Sequence, residues 1–323
     1  MVSGTRDKRP AAGRPIYVEI DVGSDIEALW RHTQDPQLHE QWDLRFTEID
    51  YLPKASPEDD QSFLYRTRLG FGLSIRGTGK SRAPASAPDG VRTSVLAFGT
   101  ADPLSLIGHG GGYWRYTPLP GGGVRFATRF DYSTRFGRAG GWLDKLLFRP
   151  LFGWATAWSF DALRLWLERG IPPAASLLLA KVHALAIGLL TFCWAYEGLV
   201  PKLLYPDSGE AELLRALGWF PGFERIATGA LGIGELLLAA WLPFRRRPWL
   251  LKTQAILMCA LTAAAIAAAP DSLQSPFNPL VLTIPMLGAT AAALWAREGL
   301  PSAQSCRRRP MHAADQPVKE ETR

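Results

Sequence analysis

Beyond residue 180 the chain carries four apolar stretches, 182–200, 226–244, 249–269 and 278–296. Each is about 20 residues long, the length a helix needs to cross the hydrocarbon core of a bilayer. Soluble helical cores rarely place four such runs in succession, so the second half of the chain is expected to span a membrane four times. The charges between the runs agree. Arg169 and Lys181 precede the first run, Arg245, Arg246, Arg247 and Lys252 surround the second connection, and Arg297 and Arg307–Arg309 follow the fourth run. The alternate connections are acidic or nearly uncharged: 201–225 holds Asp207, Glu210, Glu212 and Glu224, and 270–277 holds only Asp271. An even number of spans puts every basic cluster on one side, with both termini cytoplasmic. Trp194, Trp241, Trp249 and Trp295 fall near span ends, as interfacial aromatic anchors do. A multi-pass protein of the bacterial cytoplasmic membrane is the expected location.

The mean hydropathy of −0.02 is therefore an average over two unlike halves. The net charge of +6 is spread evenly, with 22 basic and 19 acidic residues through Gly170 and 14 and 11 after it. No concentrated positive field marks a nucleic-acid binder. Three cysteines, Cys193, Cys259 and Cys306, make no disulfide framework, and no Cys or His spacing suggests a metal site. Residues 1–14 are polar and Pro-rich without the apolar region of a signal peptide, and read as a disordered tail. Residues 300–323 read as a disordered cytoplasmic tail.

Before the membrane region the pattern is α+β. Residues 15–23 suit a strand, and Ser24-Asp25-Ile26-Glu27 reads as a capping box opening an amphipathic helix on Ile26, Leu29 and Trp30. Strand patterns recur at 63–69, 91–98 and 124–132, with turns at Pro88-Asp89-Gly90 and Pro120-Gly121-Gly122-Gly123. After Gly141 the period becomes helical, with a stripe of Leu151, Trp154, Trp158, Ala162 and Leu165 ending near Gly170. Residues 171–180 are the linker. The economical packing is one curved sheet around a long helix, with an apolar space between them. In the outer connection, Asp207 and Glu210 read as a capping box before a short helix bearing Leu213, Leu214 and Leu217.

Two resemblances follow. Residues 15–169 resemble a START/Bet v1-type helix-grip domain of the SRPBCC superfamily. The matching features are the element order, Asp35-Pro36-Gln37-Leu38-His39-Glu40-Gln41-Trp42-Asp43, and the ending Trp158–Glu168. The resemblance implies binding of a lipid, a polyketide-like molecule or another apolar compound. Residues 175–300 resemble the DoxX-like family of small four-helix membrane proteins, the domain itself being placed at 181–299. That likeness rests on Trp194-Ala195-Tyr196-Glu197-Gly198-Leu199-Val200-Pro201-Lys202-Leu203, Leu204-Tyr205-Pro206, Gly234-Glu235 and Phe277-Asn278-Pro279. Relatives of DoxX are linked to membrane oxidoreductase assemblies, including quinone-coupled sulfur oxidation, so the likeness implies an architecture more than a reaction.

The candidate site residues follow from charge inside apolar sequence. Glu235 lies near the middle of its stretch, where an ionised carboxylate is costly. Glu197 and Lys202 flank Gly198 and Pro201 where the first stretch ends, and Trp194 stands one turn before them. Together with Asn278, which also suits a helix cap, they form the candidate ligand site of the membrane domain. In the helix-grip domain the candidates are Trp154, Trp158 and His109, the last read with Gly110-Gly111-Gly112 as a flexible loop over the cavity mouth. Gly79-Lys80-Ser81 lacks the glycine and the following helix of a P-loop. No nucleophile, acid and base converge, and no catalytic signature or cofactor motif is evident beyond a quinone or lipid as ligand. The leading expectation is a membrane protein whose cytoplasmic domain binds a lipid or other apolar molecule, with oligomerisation left open. One alternative is a quinone-linked subunit of a membrane oxidoreductase, dependent on a redox partner protein; another is a cyclase-type enzyme using the helix-grip pocket.

Overall fold

A computed structural model describes residues 14–56, 59–82, 89–244 and 247–310. Most of the expected tails, 1–13 and 311–323, and the Arg245-Arg246 pair lie outside the described residues. The chain divides into two compact units: one runs to Ser176 and resumes at Pro301, and the other is Leu177–Leu300.

The first unit begins with β1 (Ile16–Val22), two short helices α1 (Ile26–Gln34) and α2 (Pro36–Trp42), and then β2 (Glu48–Tyr51). Five longer strands follow: β3 (Gln61–Gly70), β4 (Leu73–Arg82), β5 (Arg92–Gly99), β6 (Ile107–Pro118) and β7 (Val124–Thr134). They pair antiparallel in the order β1-β7-β6-β5-β4-β3-β2, a single sheet with β1 and β2 at its edges. A short helix α3 (Gly137–Leu143) and one wide turn lead into the long α4 (Arg149–Arg169). This sheet with α4 against it is the helix-grip arrangement. Alternation sets the inner face: Ile16, Val18, Ile20 and Val22 of β1 and Val124, Phe126 and Phe130 of β7 are buried. The Phe126 ring stacks on Phe160 of α4 with centroids 4.3 Å apart, and on Tyr116 at 5.0 Å.

Local details depart from the sequence pattern where side chains find longer-range partners. Asp25, not Ser24, caps α1 by accepting from Ala28 N at 2.7 Å, and Glu27 pairs with Arg92 instead of closing a capping box. Residues 109–112 are not a loop. They lie within β6, where the Phe98 ring occupies the space a side chain on Gly110 would need, and Gly112 runs against the Arg129 carbonyl. Gly79-Lys80-Ser81 lies in β4, with the Phe63 ring over Gly79.

The expected carboxy-terminal tail is part of this unit over residues 301–309. Arg307 exchanges both backbone hydrogen bonds with Glu19 of β1, at 2.9 and 2.8 Å, and so covers that sheet edge. Glu19 has no exposed surface; its carboxylate accepts from Arg307 Nε at 2.6 Å and from the Tyr17 hydroxyl, with Arg125 Nε at 3.7 Å. Arg307 also reaches Asp21 at 2.7 Å. Ser302 N donates to Asp161 and Cys306 Sγ to the Ala157 carbonyl, both on α4. The segment thus lies between the β1 edge and the flank of α4, with Cys306 and Ala303 packed on the core they share.

The second unit contains α5 (Pro173–Leu199, which enters from the first unit), α6 (Glu210–Ala216), α7 (Glu224–Trp241), α8 (Pro248–Ala268) and α9 (Pro279–Ala296). Among the described residues, three stretches are long and apolar enough to cross a membrane: Pro173–Leu204, Pro248–Ala268 and Pro279–Ser305. The sequence reading counts four. The expected second span is helical as α7, but its 18 residues include Glu224, Arg225 and Glu235. The expected cap of α6 is also replaced: Gly209 occupies the cap position, Asp207 pairs with Arg225, and Glu210 turns to Lys202.

Removing one partner of a buried ion pair leaves the other uncompensated, at about 3–5 kcal/mol when both are fully buried. Arg307 is partly exposed, so Arg307→Met is expected to destabilise the first unit by about 2 kcal/mol, read as a lowered melting temperature of the full-length protein. Adding Glu19→Gln removes the stranded charge and should recover much of that loss. Equal stability of Arg307→Met and wild type would show that the docked segment contributes nothing.

Candidate functional site

The space between sheet and α4 is a cavity of about 590 Å³. Its walls are mostly apolar: Leu96 and Phe98 of β5, Trp114 of β6, Phe130 of β7, and Phe148, Phe152 and Ala155 around the start of α4. Leu69, Leu104, Leu143, Leu147 and Leu151 line it too, yet are 42–58% exposed, so they form its mouth. Two cations line the cavity: Arg68, exposed and paired with Glu48, and Arg45, which is buried in the apolar wall. Arg45 grips the fully buried Asp43 with Nε and Nη2 at 2.8 and 2.6 Å, while its guanidinium lies 5.4 Å from the Phe130 ring centroid. His39 Nε2 approaches the same carboxylate at 3.1 Å. Burial alone would raise the Asp43 carboxyl, but Arg45 and His39 outweigh it and hold the group well below the usual carboxylate range. Burial pushes the Tyr65 phenol up to about 12, so this residue lines the cavity as a neutral hydroxyl.

None of the helix-grip candidates lines this cavity. His109 is on β6 and meets Ser133 Oγ at 3.1 Å, Trp154 is exposed, and Trp158 is buried away from the cavity. The reason lies in α4, which is buried all round between Thr156 and Leu163. Spacing alone offers two apolar faces there. Phe152, Phe160 and Leu163 meet the sheet, leaving Trp154 and Trp158 on the opposite side. Asp43 and Arg45 were missed, although Asp43 closes the segment that carries the family resemblance.

The second unit holds a cavity of about 270 Å³. Trp194, Glu197, Lys202 and Glu235 all line it, so four of the seven membrane candidates come together. Lys202 Nζ lies 3.2 Å from Glu235 Oε2, 3.5 Å from Glu210 Oε1 and 4.0 Å from Glu197 Oε2, and donates to the Glu197 carbonyl at 3.3 Å. Lys202 and Glu235 are both buried. Gly198 does not line the cavity but permits it. A Cβ there would stand 2.6 Å from the Gly232 carbonyl, and one at Gly232 would meet Gly198 at 2.7 Å, so the two backbones touch where both residues are glycine. Pro201 lies in the wide turn after α5, outside the lining. Asn278 likewise stays outside it; its side chain caps α9, accepting from Leu280 N and Val281 N. Two contributors were missed. Glu210 reads as a helix cap in sequence, and Gln254 is an uncharged polar residue inside an apolar run. Gln254 accepts from Trp194 Nε1 at 2.9 Å and donates to Thr290 at 2.6 Å, joining α5, α8 and α9.

A helix-grip unit joined to apolar helices long enough to cross a bilayer is the architecture of a membrane protein. Comparison with known proteins agrees for the second unit, since residues 191–291 match the DoxX-like family. Over 212 residues the chain is 45% identical to the uncharacterized membrane protein YndG of Bacillus subtilis (strain 168), an alignment taking in 66% of this chain and 79% of the relative. The chain belongs to the family of that membrane protein. Among solved structures, TTHA0849 from Thermus thermophilus is 13% identical, with a TM-score of 0.37, covering 48% of this chain and 99% of that one. The Zhui aromatase/cyclase from Streptomyces sp. R1128 is 15% identical, TM-score 0.37, covering 50% and 97%. The lipid transfer and protein localization domain of human StarD13 is 12% identical, TM-score 0.32, covering 43% and 72%.

Asp43 gives a pH dependence with a definite sign. Its folded carboxyl titrates below the ordinary 3.8, so its contribution is complete above that value and declines as pH falls toward the folded one. Wild type should therefore lose stability from about pH 4 downward. Asp43→Asn should be about 3 kcal/mol less stable at pH 6, because Arg45 stays buried without its anion, and should show a shallower acid decline. Melting of both proteins at pH 6 and pH 3.5 checks this; parallel declines would remove Asp43 as a source.

Proposed function

We propose that this is a four-span membrane protein whose cytoplasmic helix-grip unit binds an apolar molecule in the cavity between sheet and α4. The observation carrying the reading is that cavity: about 590 Å³, walled by aliphatic and aromatic side chains and entered past five exposed leucines. Its size suits a single small lipid-like or polycyclic ligand. Its one buried cation is already neutralised by Asp43, so the wall as a whole favours an uncharged guest. The polar groups at the wall, Tyr65, Thr67, Ser105 and Thr128, would orient such a guest by hydrogen bonds. No acid, base and nucleophile converge among the described lining residues, which favours binding and presentation over turnover.

The span count is supported by the docked segment 301–309. It returns to the same unit that the chain leaves at Ser176, which favours an even number of crossings for the intervening residues. Three stretches qualify by length and composition; α7 is the natural fourth. In this arrangement Lys181, Arg247, Lys252 and Arg297 lie on the side of the helix-grip unit, as the positive-inside rule requires of a cytoplasmic face.

Native mass spectrometry of the full-length protein released from mild detergent tests the binding. An apolar molecule should be retained by wild type and lost on Leu96→Trp, which fills the cavity while keeping an apolar wall. Retention unchanged by Leu96→Trp would move the ligand elsewhere. Single cysteines at Asp207 and Asp271, in a background freed of Cys193, Cys259 and Cys306, should react with an impermeant maleimide from outside intact cells. A cysteine at Arg169 should not.

A further inference from the structure

The cavity of the second unit is the less ordinary of the two, because its walls hold more acceptors than donors. Lys202 brings three N–H groups. Two of them serve the Glu197 carbonyl at 3.3 Å and Glu210 Oε1 at 3.5 Å, while the ammonium stands 3.2 Å from Glu235 Oε2 without an aligned hydrogen bond. Four neighbouring side-chain donors are committed, the half-exposed Trp219 indole not being among them. Trp194 Nε1 gives its hydrogen to Gln254, and Thr228 Oγ1 donates to the Glu224 carbonyl. Thr283 Oγ1 donates to the Pro279 carbonyl, which leaves the Thr262 hydroxyl to donate to Thr283.

The acceptors are not used up. Three carboxylates of six oxygens surround one ammonium, a formal charge of −2 for the four ionised side chains. Glu235, 3% exposed and lining the cavity, has an oxygen, Oε2, that receives no aligned hydrogen bond from any described residue. Lys202 faces that oxygen by charge alone, off the line of an N–H. A carboxylate oxygen in this position costs free energy unless a donor reaches it. The rest of the lining is apolar and includes the Trp194 and Trp219 rings, together with Leu213, Leu214 and Leu217 of α6 on one side.

From this donor–acceptor balance we propose that the cavity of the membrane unit is a binding site for an amphipathic amine, an organic ammonium carrying N–H groups on a short apolar body. The ammonium donates to Glu235 Oε2 and to the free oxygens of Glu197 and Glu210, while the apolar body lies against α6 and the indoles. Lys202 acts as an internal cation that partly occupies the site when it is empty. A quinone has the opposite chemistry, since its carbonyls are acceptors and would add to the surplus of acceptors already on the wall.

The test uses the full-length protein in lipid nanodiscs, with empty nanodiscs as the blank, and n-octylammonium as the probe in equilibrium dialysis. Saturable binding of one n-octylammonium per chain is expected. n-Octanol and a short-chain quinone should not displace it, because neither brings positive N–H donors. Glu235→Gln keeps the side-chain volume, removes a charge-assisted bond, and should weaken binding about tenfold or more. Lys202→Met removes the competing cation and should tighten it. Absence of saturable binding to wild type, displacement by the quinone, or unchanged affinity in Glu235→Gln would each overturn the proposal. The Glu235→Gln result is read only after its melting curve and elution volume match those of wild type, and the wild-type result stands without it.

Discussion

A carboxylate with no exposed surface holds the two ends of this fold together. Glu19 sits on an edge strand, where a buried charge needs a partner, and its closest cation comes from Arg307, far along the chain. The same pairing closes the open edge of β1 with two backbone hydrogen bonds and brings residues 301–309 along α4. One interaction therefore completes the first unit with sequence from before and after the second unit. The helix-grip unit is accordingly not a module that ends where α4 ends. A fragment stopping at Gly170 would expose the β1 edge, strand Glu19 and uncover one face of α4.

The two cavities follow opposite chemical rules. In the helix-grip unit the one buried cation is matched in place: Arg45 spans both oxygens of Asp43, and the phenylalanine rings around it tolerate a planar delocalised cation better than an ammonium. The result is a neutral, apolar space. In the membrane unit the cation is an ammonium among three carboxylates, and only Glu235 and Lys202 of that group are deeply buried. On the proposed readings, a guest of the first cavity would be selected by shape and apolar area, and a guest of the second by what it can donate.

How much of this was legible in the sequence depends on whether local pattern and long-range contact agree. β3, β5 and β7 alternate visibly, and the order of strands followed by a long helix leads directly to the helix-grip arrangement. β6 and β4 do not alternate, because Gly110, Gly77 and Gly79 sit where Phe98, Tyr65 and Phe63 lie over the backbone. An aromatic ring from the neighbouring strand supplies the missing side chain, and no reading of one strand alone reveals it. The membrane site was legible in Trp194, Glu197, Lys202 and Glu235, since charge in an apolar run stands out. Glu210 was hidden by an equally good local role as a cap. The helix-grip site was misread on α4, where covering by both the sheet and residues 301–309 gives two apolar faces. No local signal marks Arg307 as the partner of Glu19.

The exception that α7 makes to span composition has its cause in the site itself. A helix inside a bilayer tolerates a carboxylate when a neighbouring helix supplies a cation and the backbones approach closely enough for the two to meet. Gly198 and Gly232 provide that approach, letting α5 and α7 touch at their carbonyls one turn from Lys202 and Glu235. Any larger residue at either position would push the helices apart and leave both charges facing lipid or void. The glycine pair, the ion pair and the reduced apolarity of α7 are thus one feature: a crossing point built to keep a charged group inside the membrane unit. Such a group is expensive to retain where it only holds helices together, since apolar packing would do so at lower cost. Its position on the wall of a cavity, with an oxygen that receives no aligned hydrogen bond from the described residues, is what the proposed ammonium guest would use.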